Sequence, residues 1–317
     1  MASDSGIDVV IGTGPLGRAV VNELLARHKK VVVVNKSGKA DVPAEVEVRG
    51  GDVGDPGFAR EACRQAQAIY LCAKPPYHQM ADKFQPIMDG TIEAAAASKA
   101  RIIYADSLYP YGRVLGPLTE DMPYAATGRK GRARARLAAG LMTAHNEGRV
   151  RATIARASDF YGPGVRQSAV GERVFGFALA GKAASVTGNP DVLHTYTFIG
   201  DFAKALVNIA RHDEAFGQTW HVPSAETLTT REFITLIYKE LRKPVRIQVA
   251  PRWLISVLGV FDPVIRELPE ILYQSEQPFV MDHSKYERAF GAEPTPHLEA
   301  IRRTLDWYRE NDVEGKR

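Results

Sequence analysis

The sequence predicts a doubly wound α/β fold, a parallel sheet covered by helices on both faces, and three observations carry that expectation. Apolar runs recur at 7–11, 31–34, 46–48, 68–73, 101–105 and 152–157, and helix-like stretches separate most of them. The first run, Ile7 to Ile11, empties into glycines spaced G-x-G-x-x-G at Gly12, Gly14 and Gly17. Uninterrupted apolar runs suit strands buried on both faces, and strands that alternate with helices join in parallel.

The elements follow in order. Pro15 suits the first turn of a helix, where its missing N–H is no loss, and residues 18–28 continue that helix toward a second buried strand at Val31–Val34. The resulting strand–glycine turn–helix–strand unit is the arrangement that a dinucleotide's pyrophosphate needs: glycines allow a tight turn, close approach of phosphate to backbone, and close packing of helix on sheet. Ala81 to Ala100, rich in alanine, is the clearest covering helix, and a second is expected at about 127–147. Beyond Arg156 the texture changes. Tyr161-Gly-Pro-Gly164 is a turn cluster, Gly181 to Pro190 reads as a loop, and Pro244 onward reads as short helices broken by prolines, which together suggest a smaller carboxyl-terminal domain.

Composition narrows the function. A 317-residue chain can hold one large or two modest domains, and no apolar stretch approaches the roughly 20 residues that span a bilayer. The amino terminus lacks a charged, then apolar, signal segment, so the expectation is a cytoplasmic protein with no membrane partner. Cys63 and Cys72 fall in expected core elements and the eight histidines lack ligand spacing, which argues against a disulfide framework or a metal site. The net charge of +4 is mild. Much of it sits at Arg129, Lys130, Arg132, Arg134 and Arg136, a run that reads as a solvated helix face rather than a nucleic-acid surface.

The cofactor site can be drawn from these positions. Gly12, Thr13, Gly14, Pro15, Leu16 and Gly17 form the pyrophosphate loop. Where NAD-binding folds place an acidic residue on the ribose 2′-hydroxyl, this chain has Asn35, followed by Lys36, Ser37 and Lys39. A carboxylate repels a 2′-phosphate, whereas an amide, a hydroxyl and ammonium groups can hold one, which points to NADP(H), with NAD(H) possible if the lysines are merely solvated. Asp52 and Val53 are placed to meet the adenine, unless Asp52 makes a turn that caps the helix starting near Asp55. Cys72, Ala73, Lys74 and Ser158 complete the expected cofactor-binding set.

Three ordered segments then resemble the short-chain dehydrogenase/reductase superfamily, in its extended, epimerase/dehydratase-like branch. Asp106-Ser-Leu-Tyr-Pro-Tyr-Gly112 is similar to the Ser-Ser-x-x-Val-Tyr-Gly segment after the fifth strand, Tyr161-Gly-Pro-Gly164 to the Tyr-Gly-Pro-Gly after the sixth, and His194-Thr-Tyr-Thr-Phe-Ile-Gly-Asp201 to Arg-Asp-Phe-x-x-Val-x-Asp. The resemblance implies a Rossmann-type domain at residues 1–158 plus about 196–213 and a smaller substrate domain at 159–195 plus 214–317. It also implies that Ser107 stands at the catalytic serine/threonine position.

The departures are as informative. The helix after Ser107 lacks the family's Tyr-x-x-x-Lys pair; Lys130 stands in the tyrosine's place and Arg134 in the lysine's, while Tyr124 is followed four residues on by Gly128. Lys130 is therefore a candidate proton donor, cofactor contact or solvated residue, and Tyr111 a candidate phenol, with Tyr109, Tyr124 and Tyr161 as others. His194 replaces the arginine that grips a sugar nucleotide's pyrophosphate, although Arg166 or Arg173 could reach the same volume. Trp220, Trp253, Phe261, Tyr273 and Phe279 would make an apolar substrate pocket if they face a cleft. The leading expectation is an atypical NADP(H)-dependent oxidoreductase acting on a carbonyl or hydroxyl of a small molecule. The others are a non-catalytic NADP(H) sensor and a sugar-type epimerase or dehydratase. A homodimer paired through the two long helices is possible.

Overall fold

A computed structural model describes residues 6–75, 79–251 and 269–311. The chain divides into two compact units: Met1–Gly112, Pro123–Arg156 and Phe202–Trp220 make the first, and Arg113–Met122, Ala157–Asp201 and His221–Arg317 the second.

The first unit carries β1 (Ile7–Ile11), α1 (Pro15–Ala26), β2 (Lys30–Asn35), β3 (Glu47–Gly50), α2 (Pro56–Ala62), β4 (Ala66–Leu71), α3 (Met80–Ser98), β5 (Arg101–Ser107), α4 (Arg129–Asn146) and β6 (Arg151–Ala157). These strands, with a short one at Thr219–His221 added beside β6, form a seven-stranded sheet whose remaining order is β6-β5-β4-β1-β2-β3. The pairings β1–β2, β1–β4, β2–β3 and β4–β5 are all parallel. The expected doubly wound sheet is thus present, and the reversal of strand order at β1 and β4 puts a crevice beyond their carboxyl ends, where such folds take ligands. The apolar runs account for it. Every residue of β1 is buried, as are Val31 to Val34 of β2, and Leu16, Val20, Val21 and Leu24 recur on the inward face of α1. Ile69, Leu71, Ile102, Tyr104 and Ile154 continue the core under α3 and α4, whose Met88, Ala95, Leu137 and Leu141 complete it.

The second unit holds a smaller set of paired strands and a dense aromatic cluster. Asp159–Tyr161 pairs with Tyr196–Phe198 in parallel. Tyr161 lies 4.9 Å from Phe233 and 6.0 Å from Phe175 between ring centroids, and Phe175 stacks on Tyr308 at 5.9 Å. The segment expected as a loop at Gly181–Pro190 instead contains a strand, Ala184–Thr187, paired in parallel with Ile247–Ala250 in the stretch expected to be helical. Two four-residue strands bounded by glycine and proline are too short to show a period against their turn residues. Among the described residues no helix is long and apolar enough to cross a membrane.

One buried charge is costly in the sheet itself. Asp8 of β1 is 3% exposed and takes one hydrogen bond, from Gln67 Nε2 at 3.2 Å; burial raises its pKa to about 6, with Gln67 and Arg101 opposing the rise. A carboxyl that binds its proton more tightly when folded makes the fold lose stability as pH rises from the unfolded value near 4 through about 6. Asp8→Asn is therefore expected to stabilise the protein by about 1–3 kcal/mol at pH 8 and to be near neutral at pH 4, read as denaturant midpoints at the two pH values.

Candidate functional site

The glycine turn after β1 is shaped for a phosphate. Gly12 adopts φ 99°, and a Cβ there would stand 2.6 Å from the Ala73 Cα, while one at Gly17 would collide with the Gly12 carbonyl oxygen. Gly14, by contrast, faces open space. It precedes Pro15 at the start of α1, and no side chain caps that helix, so its first-turn N–H groups face a ready anion position. These residues fit a dinucleotide's pyrophosphate.

The loop after β2 is built around Asn35. Its Nδ2 donates to Thr13 Oγ1 at 2.9 Å and to the Lys39 carbonyl at 2.8 Å, while its Oδ1 accepts from the Gly38 N–H at 2.8 Å and from Ser37 Oγ at 3.2 Å. The amide is thus occupied in shaping its own loop and in tying it to the glycine turn. The adjoining Lys36 is exposed and its Nζ lies 2.9 Å from Asp52 Oδ2. Asp52 also accepts the Gly54 N–H at 2.9 Å, and these two bonds hold its carboxyl below the usual carboxylate range. The expected helix-capping role falls to Asp55, which accepts from the Phe58 N–H at 3.0 Å; Asp52 makes the turn ahead of it. Val53 is buried, Cys72 is half-buried with its thiol pushed up to about 12 by burial, and Lys74 is exposed.

Ser107 ends β5, and its hydroxyl is buried with no hydrogen-bond partner in its surroundings. The Ser158 hydroxyl is likewise buried without a partner, in the second unit. An orphaned buried hydroxyl is uncommon in a folded chain, and at the mouth of a cofactor-binding sheet it marks a place for a ligand atom.

Beside Ser107 the chain places a charged cluster that the sequence reading did not anticipate. Asp106, 4% exposed, accepts from Arg134 Nη1 at 2.7 Å through Oδ1 and from Arg156 Nε at 3.1 Å through Oδ2. Arg134 Nη1 also donates to Tyr104 Oη at 3.3 Å. Arg156 Nη2 donates to Tyr124 Oη at 2.9 Å, and its guanidinium carbon lies 4.7 Å from the ring centroids of both Tyr111 and Tyr124. Burial opposes the charge on each arginine, and the carboxylate and tyrosine oxygens more than offset it, so both hold their protons above the ordinary arginine value.

Helix α4 is seated against this cluster by Gly131, where a Cβ would stand 2.7 Å from the Tyr109 carbonyl oxygen. That seating corrects the reading of the basic run as a solvated face. Arg129, Arg132 and Arg136 are exposed, whereas Lys130 and Arg134 are buried at 3% and 7% exposure. Tyr111 is fully buried beneath Arg156. A Tyr-x-x-x-Lys spacing does occur once in the chain, at Tyr70 and Lys74, but it starts on β4, where four residues span about 13 Å of extended chain and Tyr70 is buried. It cannot form a helical tyrosine–lysine pair. A carboxylate closing a buried strand demands a cation, and that was the available signal for the cluster: Asp106 stands where the resembled motif has serine.

The substrate-side candidates are largely committed elsewhere. Tyr161 Oη lies 3.1 Å from His297 Nδ1, and His297 Nε2 lies 2.8 Å from the Glu226 carbonyl, which must accept. Nε2 therefore carries the imidazole proton and Tyr161 donates inward to Nδ1, with burial raising its pKa further. His194 is buried between Tyr196 and Phe279, at 4.6 and 5.3 Å, with Nδ1 3.1 Å from the Gln274 carbonyl; its Nε2 lies 3.2 Å from Asp159 Oδ2 but makes no hydrogen bond. Arg166 pairs with Glu172 at 2.5 Å and lies over Trp307. Trp220 is a core residue donating to the Ala215 carbonyl at 3.0 Å, and Phe279 is buried; Trp253 and Phe261 lie outside the described residues.

Two cations facing one carboxylate make the substitutions at this cluster unequal. Asp106→Asn leaves two buried guanidinium groups without a counter-charge and is expected to destabilise by about 3–5 kcal/mol, whereas Arg134→Met leaves the Asp106–Arg156 pair intact and costs less, an order that thermal melts of the two variants would test.

Comparison with known proteins agrees with this architecture. No protein of curated function matches the chain. Among solved structures, the chain is similar to DesIV, a dTDP-glucose 4,6-dehydratase from Streptomyces venezuelae with NAD and TYD bound, at 18% identity and TM-score 0.79 over 97% of this chain and 98% of that one. It is also similar to the epimerase Mth375 from Methanothermobacter thermautotrophicus, at 18% identity and TM-score 0.81 over 99% and 94%. A third is the UDP-glucuronic acid 4-epimerase from Bacillus cereus in complex with NAD, at 15% identity and TM-score 0.78 over 96% and 99%. At these identities the likeness is one of fold. The sequence pattern of the NAD dependent epimerase/dehydratase family matches residues 9–222, about two-thirds of the chain, and the protein belongs to that family.

Proposed function

We propose that the protein is an atypical NADP(H)-dependent oxidoreductase that interconverts a carbonyl and a hydroxyl group on a small molecule. The observation that carries this reading is the buried, unpartnered Ser107 hydroxyl at the end of β5, in the same unit as a glycine turn that fits a pyrophosphate. When bound, the dinucleotide supplies or accepts a hydride. Ser107 would hold the substrate oxygen by a hydrogen bond, its hydroxyl donating as negative charge develops there. Lys130, buried on α4 in the family tyrosine's place, is kept as a contact to cofactor or substrate. The pair Asp106–Arg134 would fix the end of β5 and keep water from the adjoining volume.

The preference for NADP(H) rests on the loop Asn35 to Lys39, which has no carboxylate and presents the Lys36 ammonium at its edge. Asn35 acts there as the loop's scaffold, so discrimination falls to Lys36 and Ser37. The small substrate is favoured by His194, whose ring is enclosed and bonded within the second unit, leaving no bidentate cation at the position where a sugar nucleotide's pyrophosphate would be gripped. The second reading is an epimerase or dehydratase in which the cofactor is reduced and reoxidised on one substrate. It is favoured by what the similar structures are named for.

Purified protein mixed with NADPH and a panel of aldehydes and ketones is expected to lose absorbance at 340 nm, and Ser107→Ala to lower the rate about 100-fold. Binding without any turnover would support a sensor, and label retained on the cofactor through turnover would support the epimerase reading. Lys36→Ala is expected to weaken NADPH about tenfold and leave NADH unchanged in nicotinamide fluorescence titrations. Asn35→Asp, which removes the donors to Thr13 and Lys39, is expected to weaken both cofactors rather than to convert one preference into the other.

A further inference from the structure

We propose that Tyr124 is the proton donor of this reaction and that Arg156 is the residue that positions it; the inference rests on the oxidoreductase reading above. Reducing a carbonyl builds negative charge on its oxygen, and the donor must reach that oxygen and be stabilised once its own proton has gone. Tyr104 and Tyr111 are fully buried, and the Tyr161 hydroxyl is turned into the aromatic core of the second unit toward His297. Tyr109 is half-buried, with the Arg134 guanidinium over its ring at 5.9 Å. Tyr124 is the most exposed of these tyrosines, at 38%, and its hydroxyl takes a bond from a permanent cation, Arg156 Nη2 to Oη at 2.9 Å.

The geometry holds that bond ready. Arg156 is anchored at Nε by Asp106 and enclosed by the rings of Tyr111 and Tyr124, so the N–H aimed at the phenol is fixed before any ligand arrives. Tyr124 is itself held near the turn that follows Ser107: the Ala126 N–H donates to the Pro110 carbonyl at 3.1 Å, and the Tyr124 ring meets Tyr111 edge-on at 6.1 Å. Arg134, the cation on α4, is spent on Asp106 and Tyr104. The charged groups of the cluster are therefore Arg156 against the phenol, with Asp106 and Arg134 behind it.

In the reducing direction Tyr124 Oη gives its proton to the carbonyl oxygen while the carbonyl carbon takes a hydride from the reduced dinucleotide. A C–H and an O–H bond form and the C=O π bond breaks. The phenolate left behind keeps the Arg156 N–H as a charge-assisted bond and regains a proton from solvent before the next turnover.

The test uses the full chain with NADPH and the best substrate of the aldehyde and ketone panel. Tyr124→Phe keeps the ring over Arg156 and removes only the hydroxyl; it is expected to lower kcat at least about 100-fold while leaving NADPH affinity within about twofold. Fluorotyrosine at position 124, a more acidic phenol, should restore turnover and move the alkaline limb of the pH–rate profile to lower pH. Its fluorine resonance should shift when the same substrate is added to the protein loaded with the oxidised cofactor, a readout that needs no turnover. Arg156→Lys, which keeps the charge and loses the planar N–H aimed at Oη, should lower kcat while leaving NADPH affinity within about twofold. Turnover within threefold of the parent in Tyr124→Phe, or a profile and resonance that fluorotyrosine leaves in place, overturns the proposal alone. An unaltered protein that binds NADPH and converts nothing overturns the oxidoreductase reading first.

Discussion

The bond on which the cofactor-side architecture turns is the one between the Asp106 carboxylate and two arginines that reach it from different elements. Arg134 comes from α4 and Arg156 from β6, and both meet the last residues of β5. Burying three charges is unfavourable unless each is paired and hydrogen-bonded, so the cluster persists only with strand and helix ends in one arrangement. It leaves one positive charge in excess. The surrounding oxygens and ring faces of Tyr104, Tyr111 and Tyr124 absorb that excess, which is why so much aromatic surface gathers at a polar site.

The same cluster explains how a helix can keep its seat after losing the pair of residues associated with its position. Gly131 lets α4 approach the turn after β5, and the cation four residues past Lys130 finds a carboxylate where the resembled motif has serine. Position 134 keeps the positive charge of the resembled lysine, while position 106 gains a carboxylate that both Arg134 and Arg156 reach. Reading either position in isolation misses the shared carboxylate.

Much of the sheet was legible because it rests on long apolar runs with no competing signal: β1, β2, β4, β5 and β6 lie within two residues of the stretches read from sequence. The glycine turn was legible from its spacing, and two of its three glycines, Gly12 and Gly17, sit where a Cβ would collide. The arginine cluster was not. Arg134 sits in a run of basic residues that looks like a solvated face, and Arg156 lies at the end of a buried strand where nothing local announces its partner. Long-range charge pairing has no period and no fixed spacing. Short strands such as Ala184–Thr187 were hidden for a different reason, because four residues cannot outweigh the turn formers on either side.

The amide of Asn35 ties the loop after β2 to the turn after β1 through Thr13. Two segments that would meet opposite ends of an elongated ligand are thereby ordered together. Whatever fixes the adenosine end withdraws conformational freedom from the pyrophosphate end as well, so fragments of the ligand would bind cooperatively rather than independently. The side chains that would choose between ligands thus stand on a loop whose position the glycine turn helps to set.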